Sequence, residues 1–354
     1  MLVFLPFTFP ANELLNFASE LLRKADTPEE TARLIADSLV ASNLRGVDSH
    51  GLQLLPYYLG HIEAGNIRPR ETGRVIVEAG ACLLYDGEQA FGQASAAICC
   101  DHAVMLAEEH GIAIVIERNS NHYGAAAYWG QRMARSGTIG ITMCNASPSV
   151  APWQGKDGRF GTNPICVCVP GERLWLLDMA TTTVALGKIL NAKYSSKTEI
   201  PQGWAMDREG VPTTSTETAL EGLLMPLGGY KGSGLMMMVE ILCGVLGGGA
   251  MSREVGGIRD RSRPMQTSHV YLAIDVARFL PLAEFDERMK RLIAEVKSSH
   301  PASGYDEVLV AGEPEWRIED ERRREGIPLS EGVWANLKDA ARRLDVPTPE
   351  GTAR

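Results

Sequence analysis

Apolar residues recur at intervals of three and four between residues 11 and 44, which is the period of an amphipathic helix. The pattern breaks at Thr27-Pro28-Glu29-Glu30, where a proline at the first helical position and early acidic residues indicate a new helix capped by Thr27. The sequence therefore predicts two helices joined by a short turn. Ser49-His50-Gly51 follows closely behind the second helix.

From residue 74 onward, short extended segments rich in Val and Ile alternate with segments of helical periodicity. The expected strands are 74–85 (broken near Gly80), 112–116, 139–143, 165–169, 174–178 and 270–275. The expected helices are 94–109, 125–135, 234–244 and 282–298. Strands that alternate with helices in this way predict an α/β architecture.

Length and charge narrow the class of protein. A chain of 354 residues exceeds the size that one hydrophobic core usually fills, so two lobes are expected. The formal net charge of −9 argues against a general nucleic-acid-binding protein, which needs basic surface. A small anionic substrate remains compatible with it, because a local positive pocket can lie on an acidic protein. No apolar run approaches the roughly 20 residues that span a bilayer.

The seven cysteines are an odd number and include no Cys-x-x-Cys spacing, so neither a disulfide framework nor a metal site is expected. This usage favours a reducing compartment. Residues 1–10 are apolar enough to resemble a secretory signal sequence. They lack the basic residues of such a signal, and Pro6 and Pro10 interrupt the apolar stretch. A cytoplasmic location is therefore expected.

The glycine-rich stretch 228–234 does not match either common nucleotide-binding motif. Its glycines lack the G-x-G-x-x-G spacing, and Lys231 is followed by Gly232 where a P-loop needs Ser or Thr. Two interpretations remain open. Flexible backbone and Lys231 ahead of a helix suit a phosphate, whereas an ordinary loop with an exposed lysine has the same pattern.

Two of the seven histidines stand where a helix or strand has just ended, next to small residues: His50 and His122. Such positions present a side chain to a cleft, and an imidazole is suited to exchange a hydroxyl proton during hydride transfer. Ser49 could orient His50. The others are interpreted as surface or structural residues, namely His61, His102, His110, His269 and His300.

Seven motifs occur in one order: Arg45-Gly-Val-Asp-Ser-His-Gly51, Ser120-Asn-His-Tyr-Gly124, Asn145-Ala-Ser-Pro-Ser-Val-Ala-Pro152, Gly161-Thr-Asn-Pro164, Leu177-Asp-Met-Ala-Thr181, Gly203-Trp-Ala205 with Pro212-Thr-Thr214, and Gly228-Gly-Tyr-Lys-Gly232. The series resembles the type-2 malate/L-lactate dehydrogenases. That family also contains ureidoglycolate dehydrogenase, sulfolactate dehydrogenase, diketogulonate reductase and piperideine-2-carboxylate reductase. The resemblance extends from about residue 14 to about residue 312.

The resemblance implies the two-lobed α/β fold of that family, with an N-terminal helical segment and a nicotinamide-binding domain unlike the Rossmann fold. Residues 1–117 and 290–354 would form the substrate and dimerisation lobe, and residues 118–289 the NAD(P)-binding lobe. A homodimer with NAD or NADP and no metal is expected.

Site residues carried over from the family fall into three groups. Those resembling cofactor contacts are Tyr123, Gly124, Asp178, Met179, Ala180, Lys231, Gly232, Gly312 and Glu313. Those resembling substrate contacts are Thr162 and Asn163. In imine-reducing members the catalytic histidine is the one that matches His50, with the serine that matches Ser49. In ureidoglycolate dehydrogenase it is the one that matches His122. Both histidines are therefore candidates for the catalytic residue.

The chain departs from the family pattern at two positions. Leu54 replaces an arginine that grips the substrate carboxylate in many members, and Arg45 and Arg159 are the candidate replacements. Lys188 stands where imine-reducing members carry an acid, which favours a hydroxy acid.

The expected function is hydride transfer between a nicotinamide and C2 of a small 2-hydroxy or 2-oxo acid. The alternatives are a cyclic-imine reductase and a cofactor-binding protein without turnover.

Overall fold

The computed structural model describes residues 7–194 and 196–353, without the side chains of residues 191, 194 and 353. The first six residues, which belong to the segment compared above with a secretory signal sequence, lie outside the described residues. The strands are β1 (Phe7–Phe9), β2 (Arg74–Ala79), β3 (Cys82–Asp86), β4 (Ile112–Ser120), β5 (Thr138–Cys144), β6 (Ile165–Val169), β7 (Trp175–Met179), β8 (Ala205–Met206), β9 (Pro212–Thr213), β10 (Leu223–Leu224), β11 (Thr267–Asp275), β12 (Ile327–Leu329) and β13 (Thr352–Ala353). The α-helices are α1 (Ala11–Lys24), α2 (Glu29–Leu44), α3 (Leu55–Glu63), α4 (Gly92–His110), α5 (Ala126–Ala134), α6 (Leu186–Tyr194), α7 (Thr216–Glu221), α8 (Tyr230–Glu240), α9 (Leu282–Lys297), α10 (Glu313–Glu325) and α11 (Glu331–Leu344).

A seven-stranded mixed sheet forms the centre of the molecule, in the order β2-β3-β4-β11-β5-β6-β7. Only the β3–β4 pair is parallel. Helices α4 and α5 pack on one face, and α8 with its π-helical continuation Ile241–Val245 packs on the other. The central strands β4, β5 and β11 are covered on both faces, and each contains a stretch of consecutive, mainly apolar residues that fits this position. The expected α/β architecture is confirmed.

The N-terminal helices form a separate core with α11, and a small sheet, β12-β1-β13, closes it. Leu14, Phe17 and Leu21 lie one turn apart along α1 and are buried, as the helical period predicts. Phe9 of β1 packs on Trp334 of α11 with ring centroids 4.5 Å apart. A third, smaller core lies among α6, α7 and the three-stranded sheet β10-β8-β9.

Three details correct or qualify the sequence interpretation. The predicted Thr27 cap is wrong, because α2 begins directly after Pro28 and no side chain caps it. His61 is not a surface residue: it is fully buried, and its Nε2 lies 2.9 Å from the carbonyl oxygen of Ile258. The central sheet takes strands from both sides of residue 117, and the division into lobes at that residue stays a prediction.

Across the described ranges, no helix has the length and apolar character needed to cross a membrane.

Candidate active site

A 3₁₀ turn, Asp48–His50, follows α2 and carries Ser49 and His50. Arg322 of α10 donates two hydrogen bonds to the Asp48 carboxylate, at 2.7 and 3.0 Å, and this bidentate pair fixes the turn. Asn43 of α2 donates to the same carboxylate at 2.6 Å. A side chain at Gly51 would place its Cβ 2.2 Å from Asn43 Oδ1, so the close approach requires glycine here.

The loop 121–124 follows β4 and carries His122. The buried Asn121 side chain donates to the carbonyl oxygens of Gln89 and Ala90, at 3.1 and 2.8 Å, and ties the loop to the segment ahead of α4. Trp129 of α5 donates to the carbonyl oxygen of Tyr123 at 2.9 Å. The position of His122 is therefore set by rigid elements on two sides.

These two segments bring both predicted histidines into one site. The imidazole rings of His50 and His122 are stacked, with centroids 5.7 Å apart and an interplanar angle of 21°. Ser49 Oγ lies 2.9 Å from His50 Nδ1, as expected from the sequence. Tyr58 of α3, which the sequence interpretation missed, places its hydroxyl 2.8 Å from His122 Nδ1. The only available signal was that a buried tyrosine needs a partner for its hydroxyl group.

The hydrogen bonds around His122 define its proton distribution. The backbone N–H of Gly124 donates to His122 Nδ1 at 3.2 Å, and the Tyr58 hydroxyl lies on the same nitrogen. Because an accepting ring nitrogen carries no proton, the network assigns the hydrogen of the neutral ring to Nε2. Burial lowers the pKa of His122 to about 3, with further contributions from His50 and His269. The ring is thus a neutral hydrogen-bond donor near pH 7. Burial also lowers the pKa of His50.

The low pKa of His122 predicts a pH-dependent loss of stability. Its pKa rises from about 3 in the folded chain to about 6.5 in the unfolded chain, so between these values only the unfolded chain binds the proton. Stability is therefore lost as the pH falls below about 6.5. Replacing His122 with glutamine removes this contribution. We expect the fall in Tm between pH 7 and pH 5 to be smaller in His122→Gln than in the wild type, and an equal fall would contradict the assignment.

Three of the residues that resemble cofactor contacts lie at the end of the edge strand β7. Asp178, Met179 and Ala180 lie at its end, where Asp178 Oδ2 accepts a hydrogen bond from the backbone N–H of Ala127 at 2.9 Å. The backbone N–H of Leu227 donates to the carbonyl oxygen of Thr181 at 2.9 Å, which joins this segment to the turn before α8.

Lys231 and Gly232 occupy the first turn of α8. Lys231 is exposed, and it makes no ion pair with residues 7–194 and 196–353. A Cβ at Gly232 would lie 2.4 Å from the carbonyl oxygen of Leu227, so the tight turn needs glycine.

Two further residues that resemble cofactor contacts make contacts within the protein. Gly312 packs against Leu176 of β7, and Glu313 forms ion pairs with Lys297 and with Arg317.

The last two such residues lie in the 121–124 loop. The side chain of Tyr123 is buried, whereas Gly124 beside it has a φ of +82° and open space where a Cβ would stand.

The two predicted substrate contacts differ in exposure. Thr162 is partly exposed, and its carbonyl oxygen accepts two hydrogen bonds from Thr181. Asn163 is fully buried and donates to Glu240 Oε1 at 3.0 Å and to the carbonyl oxygen of Met236 at 3.1 Å. The side chain of Asn163 therefore braces the Thr162 loop against α8.

The structure also places the residues discussed in connection with the missing arginine. Leu54 is buried in the N-terminal core, and Arg45 is buried beside Glu319 of α10. Arg159 pairs with Asp157 at 3.0 Å within its own loop. The start of α6 lies close to the histidine site, because a Cβ added at Gly187 would lie 3.8 Å from Ser49 Cβ. The next residue in the chain, Lys188, is exposed.

Comparisons with known proteins match the chain over nearly its whole length. The family model described as malate/L-lactate dehydrogenase matches residues 9–338. The malate dehydrogenase of Pyrococcus horikoshii is 39% identical over 346 residues, which cover 95% of each chain. The solved structure of sulfolactate dehydrogenase from Methanocaldococcus jannaschii superposes with a TM-score of 0.91 at 33% identity and covers 96% of this chain and 98% of that one.

A reductase has the same fold. The structure of delta1-piperideine-2-carboxylate reductase from Pseudomonas syringae superposes with a TM-score of 0.83 at 26% identity, and covers 94% of this chain and 99% of that one. The family model spans nearly the whole chain. This chain belongs to the malate/L-lactate dehydrogenase family.

Proposed function

We propose that the chain is a cytoplasmic enzyme that transfers a hydride between NAD or NADP and C2 of a small 2-hydroxy or 2-oxo acid. The stacked pair of His50 and His122 carries this proposal, because it places two imidazoles at one partly exposed site. Five of the predicted cofactor residues lie at the end of β7 and the start of α8, namely Asp178, Met179, Ala180, Lys231 and Gly232. Thr162 lies between the histidines and the β7 residues in the chain. Its carbonyl oxygen accepts a hydrogen bond from the side chain of Thr181, just beyond β7.

The residues around β7 fit a nicotinamide dinucleotide. Lys231 brings an exposed positive charge to the first turn of α8, where backbone N–H groups and the helix dipole favour a phosphate. Gly228 and Gly229 have φ values of +58° and +66°, which lets the backbone turn sharply ahead of the helix. When bound, the dinucleotide supplies or accepts the hydride.

The chain's own residues then handle the oxygen and its proton. His122 Nε2–H donates a hydrogen bond to the substrate oxygen, in the manner of a neutral imidazole that polarises a carbonyl group. Tyr58 and the backbone N–H of Gly124 hold the other nitrogen and fix the ring. His50, oriented by Ser49, takes or gives the proton of the hydroxyl group.

A substrate panel run with both reduced cofactors tests the proposal. Pyruvate, oxaloacetate, a longer 2-oxo acid and a cyclic imine carboxylate are compared by kcat/KM, each with NADH and with NADPH. We expect turnover of at least one oxo acid to exceed that of the imine. Preference for the imine would support the reductase alternative, for which the Pseudomonas syringae structure is the precedent. Cofactor binding without any turnover would support the non-enzymatic alternative.

A homodimer is part of the proposal. Several apolar side chains of α8 and the π-helical segment that continues it are exposed, with 56% of Met237, 44% of Ile241 and 57% of Val245 accessible. Contiguous apolar surface of this kind marks protein–protein contacts. Sedimentation equilibrium should give twice the chain mass of 38.5 kDa, and a single chain mass would contradict the dimer.

Replacing Lys231 with alanine is expected to weaken cofactor binding more than substrate binding. The lysine lies at the first turn of α8, where it would meet a phosphate or ribose of the dinucleotide. The dissociation constant of the reduced cofactor should rise about tenfold by fluorescence titration. Lys156→Ala is the matched control, because this exposed lysine pairs with Glu209 instead. An unchanged dissociation constant in Lys231→Ala would remove this residue from the site.

A further inference from the structure

Helix α10 packs one face against the segment 43–48, which leads from α2 into the turn that carries His50. Ile318, Glu319 and Arg322 lie on this face, at the spacing that places helical side chains next to one another. Each of them meets a different part of the segment. The function proposed above assigns no role to this face of the helix.

The first two contacts hold the start of the segment. Glu319 Oε2 lies 3.7 Å from Nη1 of the buried Arg45. Ile318 packs on Gly46, which has a φ of +76° and where a Cβ would lie 2.9 Å from Ile318 Cδ1. The backbone can therefore approach α10 closely at this point.

Arg322 holds the end of the segment at two places. Its guanidinium donates two hydrogen bonds to the Asp48 carboxylate, at 2.7 and 3.0 Å, and a further one to the carbonyl oxygen of Asn43. The Asn43 side chain closes the loop from inside, because it donates to Asp48 Oδ1 at 2.6 Å and accepts from the backbone N–H of Leu52 at 2.8 Å. The Arg322 side chain is only 16% exposed. A bidentate pair within such a network is worth more than an ordinary surface ion pair.

The same helix is anchored to β7. Gly312, at the start of α10, packs on Leu176 of that strand. The Arg173 guanidinium, just ahead of β7, lies 5.9 Å from the ring centroid of Trp316 and pairs with Asp320 at 3.0 Å. Helix α10 therefore contacts both the strand that ends in predicted cofactor residues and the segment that ends in the histidine turn.

We propose that Arg322 is a positioning residue for His50: through Asp48 it holds the histidine turn on α10, and α10 sets the distance between that turn and β7. The inference rests on the proposed function in giving His50 a part in the reaction. Gly312 and Arg322 are ten residues apart, which is about 15 Å along a helix axis. A shift of about 1 Å in a catalytic group can cost about a hundredfold in rate, so the reaction needs this spacing to be fixed.

The first test measures the turn itself and needs no turnover. The backbone N–H of His50 donates to the carbonyl oxygen of Val47 at 3.0 Å, and that of Gly51 donates to the carbonyl oxygen of Asp48 at 3.1 Å. Hydrogen exchange of these two amides, followed by NMR, reports whether the turn is held. In Arg322→Ala we expect both to exchange at least about tenfold faster than in the wild type. The amide of Gly124, in the other histidine loop, is the internal reference and should not change.

The second test asks whether the held position matters to the reaction. Arg322→Ala should lower kcat at least about tenfold and leave the dissociation constant of the reduced cofactor within about twofold, because β7 keeps its own contacts. Arg322→Lys retains the charge without the bidentate geometry, so its kcat should lie between those of Arg322→Ala and the wild type. In a His50→Ala background, Arg322→Ala should lower kcat no further, since a residue that acts through His50 has nothing left to position.

Arg324→Ala is the matched control for both tests. Arg324 is an exposed arginine of the same helix, and its side chain donates to the backbone carbonyl oxygen of Asp320. The variant should match the wild type in amide exchange and in kcat. An equal effect of Arg324→Ala and Arg322→Ala would overturn the proposal.

Three other results would also overturn it: unchanged amide exchange in Arg322→Ala, faster exchange with an unchanged kcat, or a loss of kcat in the His50→Ala background as large as in the wild type. If Arg322→Ala does not fold, Asp48→Asn takes its place in both tests. Asp48 is 49% exposed, and this change keeps its shape but removes its charge. If the wild type turns over no acid, the proposed function fails, while the exchange measurement still decides whether Arg322 holds the turn.

Discussion

His50→Ala and His122→Ala are each expected to lower kcat by about a hundredfold or more. If His50 transfers the proton of the hydroxyl group, its removal abolishes general acid–base catalysis, which contributes about 10²–10⁴ in rate. If His122 donates a hydrogen bond to the substrate oxygen, its removal takes away stabilisation that is strongest in the transition state. Steady-state kcat and KM with the best acid from the substrate panel measure both effects.

The two roles predict different pH profiles. The profile of His122→Ala should keep the ionisation assigned to His50, whereas that of His50→Ala should lose it. His300→Ala is the matched control, since His300 is an exposed histidine in the segment after α9. A near-normal kcat with only KM raised, in either active-site variant, would mean that this histidine binds substrate and does not act in the chemical step.

Local periodicity was sufficient to predict most of the central sheet and its helices. The strands β4, β5, β6, β7 and β11 lie where apolar runs were expected, although several extend further. Gly111 ends α4 with a φ of +87°, as its position after the helical pattern predicts. Short strands such as β8, β9 and β10 have two residues each and leave no periodic signal, so they were missed.

The site was predictable in part, for a physical reason. His50 and His122 follow the ends of α2 and β4, and chain order alone suggested that each faces a cleft. Contacts between elements distant in sequence are a different matter: Tyr58 meets His122 across 64 positions, and Glu117 meets His269 across 152. The hydrophobic periodicity and the motif spacing of a sequence carry no information about such contacts. His269 was interpreted as structural because it precedes an apolar strand.

The sequence pattern alone does not show where the side chain of Leu54 lies. Its place in the family pattern suggested a vacancy at the substrate carboxylate, but the side chain is only 8% exposed and belongs to the N-terminal core. Lys188, by contrast, is exposed on the helix whose start lies close to Ser49. The backbone of Gly187, one residue before Lys188, therefore approaches Ser49 from a different element.

Gly92→Ala is expected to disturb the active site from outside it. Gly92 is the first residue of α4, and a Cβ there would lie 2.1 Å from the carbonyl oxygen of Asn121 and 2.8 Å from that of His122. Both are backbone atoms, so the 121–124 loop must move away from α4. Displacement of a catalytic group by about 1 Å can cost about a hundredfold in rate. We expect kcat to fall at least about tenfold.

The same substitution should lower Tm by about 1–4 °C, because overpacking at a rigid contact costs about 1–3 kcal/mol in a chain of 354 residues. Gly332→Ala in α11 is the matched control: apart from its own helix backbone, no atom of the described residues lies within 4 Å of the position that its methyl group would take, and alanine favours a helix more than glycine does. It should leave kcat unchanged and raise Tm slightly or not at all. If Gly92→Ala matched this control in both kcat and Tm, the close packing of α4 on the 121–124 loop would not be what positions His122.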